Sequence, residues 1–155
     1  MKFIKILLIL FTSVFLMSAQ TILKKQITLY LPSSETEKLI AVNKDVIIRG
    51  NDDLADVIFS LLKKESSRDG YIKLYPDNSY ATSQNKKARV VIDKNHINGA
   101  TLSDELLTIY SAVNSLTSSG DIITVEFLID GASQRDLYGY IDMRETFIPD
   151  YDICS

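Results

Sequence analysis

The 155-residue chain has no tryptophan, one cysteine and one histidine. Each shortage closes off some chemistry. A single cysteine, Cys154, makes no internal disulfide. His96 and Cys154 together fall short of the three or four nitrogen or sulfur ligands that a zinc centre needs. A nucleophile needs a base and an orienting carboxylate beside it. No Gly-x-Ser-x-Gly elbow is present and Cys154 is penultimate, so His96 reads as a surface-loop residue. Without tryptophan the chain lacks the usual stacking platform for sugars. Its six glycines follow no phosphate-cradling spacing and read as turns or close strand approaches. The acids at Asp52-Asp53-Asp56 and Asp150-Tyr151-Asp152 lack the spaced loop and bidentate glutamate of an EF-hand. No cofactor is expected. Linkers, low-complexity tracts and internal repeats are also missing, and the length suits one domain.

The N-terminus is richer in information. Lys2 and Lys5 precede an apolar run from Ile6 to Met17, and Ser18-Ala19-Gln20 offers small residues for a peptidase. A basic start, a short apolar middle and a small-residue exit form a secretory signal, with the cleavage region at Ala19 and Gln20. The run is shorter than the ~20 apolar residues that span a bilayer, which favours cleavage over a retained inner-membrane anchor. Cys154 lies far from this junction, so lipid attachment at the cleavage point is not expected. Export to the periplasm or outside follows, with membrane contact only through the signal or an uncleaved anchor. Once Lys2 and Lys5 leave, 15 basic residues face 20 acidic ones. That balance argues against nucleic acid as a partner. The one basic run, Lys86-Lys87-Ala88-Arg89, reads as an edge strand guarded by lysines. The expected division is a signal over 1–20, a domain over 24–146 and a tail over 147–155.

Hydrophobic periodicity gives the elements. Ile27, Leu29 and Leu31 alternate with Gln26, Thr28 and Tyr30, a half-buried strand. Residues 38–48 read as a second strand, broken near Asn43-Lys44-Asp45. Asn51 or Asp52 would cap a helix whose stripe is Leu54, Val57, Ile58, Leu61 and Leu62. Tyr71 to Tyr75 is a short apolar stretch before the turn Pro76-Asp77-Asn78-Ser79, and polar residues up to Lys87 suit an edge strand. Ala88, Val90 and Ile92 then share a strand face. Thr101 and Asp104 have capping-box spacing at the head of a second helix. Its expected buried stripe is Leu102, Leu106, Tyr110, Val113 and Leu116, widened by Leu107, Ile109 and Ala112. Ile123, Val125, Phe127 and Ile129 form a strand face. Asp130-Gly131 turns the chain, and Leu137 to Met143 would return as a hairpin strand. The order ββ-α-ββ(β)-α-ββ is an α+β fold, with two amphipathic helices on one face of a mixed sheet.

These segments resemble the GerMN domain of GerM-type sporulation and spore-germination proteins. The likeness runs through Ile27-Thr28-Leu29-Tyr30-Leu31-Pro32, then Leu39 to Val42 and Asp53 to Leu62. It continues at Leu74-Tyr75-Pro76-Asp77-Asn78, Ala88 to Asp93 and Glu105 to Leu116, and closes on Val125 to Gly131. It covers about Gln26 to Met143 and singles out Tyr30, Pro32, Pro76, Asp130 and Gly131 as motif positions. The chain departs from the family where Glu65 to Gly70 replaces a Gly-Pro after the first helix, and where Met143 follows Asp142 instead of proline. The resemblance implies a non-catalytic module acting in the bacterial envelope through contact with another protein or with itself. Among the eight tyrosines, Tyr138 and Tyr140 are the expected interaction surface, being amphipathic and on the outward phase of the last strand. The alternative is a small cell-wall hydrolase or glycan-binding protein using surface carboxylates.

Overall fold

The computed structural model describes residues 21–93 and 101–153. The signal with Ala19 and Gln20, the loop with His96, and Cys154 lie outside these. The chain is α+β, with two helices and two small sheets. Strands β1 (Ile22–Pro32) and β2 (Leu39–Arg49) form an antiparallel ribbon. Helix α1 (Leu54–Ser66) follows, then β3 (Tyr80–Gln84) and β4 (Lys87–Ile92). Helix α2 (Leu102–Thr117) precedes β5 (Thr124–Ile129). The second sheet has the order β3-β4-β5, antiparallel then parallel, hence mixed.

The inward side chains Ala81, Ala88, Val90, Ile92, Val125, Phe127 and Ile129 share one core with Ile58, Phe59 and Leu62 of α1 and Leu107, Ala112 and Leu116 of α2. Fully burying an aliphatic or aromatic side chain of this size contributes roughly 1.5–3 kcal/mol, so this common core holds the layers together. Tyr75 meets Phe59 edge-on at 4.8 Å and donates to the Thr108 carbonyl at 2.6 Å. Its burial pushes the phenol well above the ordinary tyrosine range.

Several sequence expectations are revised. β2 is continuous through Asn43-Lys44-Asp45 because each polar residue has an answer. Asn43 accepts from Thr28 at 2.9 Å, Lys44 reaches Glu65 at 2.7 Å, and Asp45 pairs with Lys24 at 2.9 Å. Asp53, not Asn51 or Asp52, caps α1, accepting from Ala55 N–H at 2.9 Å. The same carboxylate takes the Ser83 N–H and hydroxyl, both at 2.7 Å, tying the helix start to edge strand β3. Lys87 and Arg89 stand on the central strand, not on an edge. Residues 71–75 form no strand; one bridge joins Tyr71 to Ser33. Leu102 is 48% exposed and Ile123 53% exposed, against expectation. In α2, buried polar residues take part of the inward surface instead.

Those residues are Glu105, Thr108, Ser111, Asn114 and Ser115, all at 0% exposure. Ser111, Ser115 and Ser118 form a stripe along α2 that lies against the outer edge of β1. Tyr30 N–H donates to Ser115 at 2.8 Å and Thr28 N–H to Ser118 at 3.1 Å, while the Ser111 hydroxyl donates to the Tyr30 carbonyl at 2.7 Å. A sheet edge left bare is a liability; here side-chain hydroxyls satisfy it where another strand would. Residues 147–153 lie on the body. Phe147 exchanges two backbone bonds with Val125, and Asn114 bonds both the N–H and the carbonyl of Asp150.

Candidate functional site

Glu105 lies in the first turn of α2 with no exposed surface. A carboxylate taken from water is strongly unfavourable unless hydrogen bonds replace its solvation. Backbone amides do so here. One oxygen accepts from Leu137 and Tyr138 at 3.1 Å each, the other from Tyr140 at 2.9 Å and Ile141 at 3.2 Å. The chain therefore wraps round the carboxylate instead of pairing as a strand, which is why the expected hairpin is not extended. What remains of it is a tight turn. Ile129 and Ala132 exchange backbone bonds at 2.9 and 3.1 Å across Asp130 and Gly131, whose φ values are 53° and 77°. Two left-handed central residues make a type I′ turn, the geometry for which Asp-Gly is suited. The loop closes where Met143 N–H donates to the Arg135 carbonyl at 2.7 Å, with Leu137 and Met143 buried beneath.

The clamped loop presents Arg135, Gly139 and Tyr140 to solvent, Tyr140 at 57% exposure. Tyr138 and Tyr140 do not share an outward face. Tyr138 is half-buried against the core, and its phenol is pushed up by that burial, with the Asp104 and Glu105 charges adding and a Thr108 hydrogen bond opposing. Beside the loop, Asp142 is exposed and is held below the usual carboxylate range by its hydrogen-bonded ion pair with Arg144.

The outer face of the β3-β4-β5 sheet is ordered by register. Thr82, Arg89 and Glu126 form one row across it; Gln84, Lys87 and Thr124 form the next. Glu126 takes both cations, Lys87 at 3.0 Å and Arg89 at 2.6 Å, which hold its carboxyl below the ordinary range. A shallow concavity of about 580 Å³ opens over these side chains. Lys87 and Arg89 of the basic run therefore close a charge network on the sheet face with Glu126.

The family-motif positions are spread through the body. Tyr30 anchors the serine stripe and its ring lies 5.5 Å from Tyr151. Pro32 is buried and its carbonyl accepts from Ile72 N–H at 2.9 Å. Pro76 opens a turn closed by Ser79 N–H at 3.0 Å. Asp130 and Gly131 make the turn that feeds the clamp. These positions shape the fold and do not converge on one another.

Residues 28–135 match the family described as Germane, sporulation and spore germination. The chain belongs to that family. Its fold is similar to a candidate lipoprotein of Clostridium perfringens, at 15% identity and TM-score 0.55, covering 83% of this chain and 87% of that one. It is also similar to the tandem GerMN domains of the Bacillus subtilis sporulation protein GerM, at 15% identity and TM-score 0.54, over 83% of this chain and 46% of that one. The first GerMN domain alone gives 16% identity and TM-score 0.50 over 84% and 96%. No functionally curated protein matches the sequence.

For this Germane chain, sequence reading missed Glu105 and the serine stripe. Both carry a periodic signal. Glu105 stands three residues after Leu102 and four before Ile109, an acid on an apolar side of the helix. Ser111, Ser115 and Ser118 recur at spacings of four and three, one helical face. Among the described residues no group of three or more histidine, cysteine or acidic side chains could hold a metal, and no helix is long and apolar enough to cross a membrane.

Proposed function

We propose that this chain is an exported GerM-like module that works in the bacterial envelope through protein contact, without catalysis. The observation that carries the reading is the Glu105 clamp. A buried charge holds a surface loop in one shape, and a pre-formed loop loses less entropy when it meets a partner. Tyr140, aromatic and exposed at its crest, is the residue a partner would cover. The state of the carboxylates supports the non-catalytic reading over a wall hydrolase. Asp53 serves a helix cap, Glu65 and Glu126 each bind two cations, and Glu105 is saturated by amides. The N-terminal signal supports export, and the acidic balance disfavours nucleic acid.

The test is a cross-linking pull-down from envelope fractions. Tyr140→Ala is expected to lose the partner captured by the parent protein at an unchanged melting temperature; identical capture by both would sink the assignment to this loop. Zymography on peptidoglycan separates the alternative, since clearing abolished by one Asp→Asn change would establish an enzyme. Mass spectrometry of the mature N-terminus decides between cleavage after residue 20 and a retained anchor.

A further inference from the structure

The β1–β2 ribbon has two long edges; among the described residues that of β1 is covered at Thr28 and Tyr30, whereas that of β2 is covered nowhere between Leu39 and Arg49. Tyr30 directs both its N–H and its carbonyl, and Thr28 its N–H, away from β2 toward the α2 serines. The register is one-to-one, so Thr28–Asn43 and Tyr30–Ala41 are non-hydrogen-bonded pairs. By the same alternation, Ala41, Asn43, Asp45 and Ile47 turn their backbone groups outward from β2. All four residues are exposed, Ile47 at 51%. Among the described residues no other strand or loop bonds these groups. The open stretch has clear ends: Leu39 is buried, and Arg49 N–H is taken by Asp52 at 2.8 Å.

We infer that this edge pairs with the same edge of a second copy of the chain, antiparallel about a two-fold axis at Lys44. The open stretch is symmetric about Lys44, so this register alone uses every open residue on both copies. Ala41 then faces Ile47 of the second copy and Asn43 faces Asp45, each pair exchanging two backbone bonds. A shift of the axis to residue 45 sets Asp45 against Asp45, and a shift to residue 43 strands Ile47. Charges on an edge strand ordinarily repel such pairing. Here both are answered within each copy, Lys44 by Glu65 at 2.7 Å and Asp45 by Lys24 at 2.9 Å. On the inner side Val42 meets Val46 and Ile40 meets Ile48, apolar against apolar. The inference rests on the contact-based reading above only in assigning the chain an associative role. It concerns a surface remote in sequence from the Tyr140 loop, so loss of Tyr140-dependent capture leaves it standing.

A single-cysteine cross-link tests the axis. At a non-hydrogen-bonded antiparallel pair the Cα atoms lie about 4.5 Å apart, within disulfide reach. In a Cys154→Ser background of the exported protein, Lys44→Cys is expected to form a disulfide dimer at least ~10-fold faster than Gln26→Cys, because pairing raises the effective thiol concentration. Sedimentation equilibrium on the parent is expected to show concentration-dependent dimers. Ala41→Pro should lose them, since that N–H serves no bond within the ribbon and proline is tolerated at such an edge position. Cross-linking of Lys44→Cys no faster than Gln26→Cys overturns the inference, as does a folded Ala41→Pro variant that dimerises like the parent. Should Ala41→Pro fail to fold, the cross-linking rates decide alone.

Discussion

Replacing Glu105 by glutamine changes almost nothing in volume and one thing in chemistry. One side-chain oxygen becomes an NH₂ group, a donor facing two backbone donors. Hydrogen bonds to a charged acceptor contribute roughly 1.5–3 kcal/mol each, and a buried donor left without a partner costs roughly 1–3 kcal/mol. Two lost bonds therefore amount to roughly 3–6 kcal/mol while the loop stays closed. The loop lowers that figure by opening, because Gly139 and Tyr140 already touch water. We expect Glu105→Gln to destabilise the protein by about 3 kcal/mol, near the lower end of what breaking a buried charge interaction does. For a chain of this length that lowers Tm by roughly 6–12 °C. Urea unfolding gives the free energy, and hydrogen exchange gives its location: the amides of Leu137, Tyr138, Tyr140 and Ile141 should lose protection while those of β4 keep theirs. A loss under about 0.5 kcal/mol with those four amides still protected would refute the clamp, since surface substitutions fall in that range.

Two other outcomes follow from the same physics. Ser115→Ala removes the acceptor of a half-buried Tyr30 N–H and should reduce stability by roughly 1–3 kcal/mol in urea titrations; an unchanged midpoint would show that water replaces the hydroxyl. Lys44's hydrogen bond, aided by Arg68 and opposed by burial, holds the Glu65 carboxyl below its ordinary value of 4.5. Its stabilisation is complete above that value and is lost as pH falls through the lower folded value. Urea midpoints measured at about pH 6 and about pH 3 should therefore differ less in Glu65→Gln than in the parent. An equal acid loss in both would remove Glu65 from the account.

Apolar periodicity made the helices and most strands legible, since Ile27, Leu29 and Leu31, or Ile58 and Leu62, have one way to leave water. Local capping was legible too: Thr101 with Asp104 forms the expected box, with Thr101 N–H at 2.8 Å from the Asp104 carboxylate. What stayed hidden depends on partners distant in sequence. Residues 137–143 alternate well enough to suggest a strand, yet their amides turn to a carboxylate more than thirty positions earlier. Asn43-Lys44-Asp45 looks like a break until Thr28, Glu65 and Lys24 supply answers. Tyr138 and Tyr140 were paired by strand parity, and the loop, having none, separates them.

The family match stops at residue 135, whereas every amide that Glu105 needs comes after it. Trimming the protein to the matched interval would remove all four donors to Glu105 together with the core side chains of Leu137 and Met143, and would also take Phe147 from the flank of β5. For this molecule, the stretch that completes the core is longer than the interval that the family match outlines.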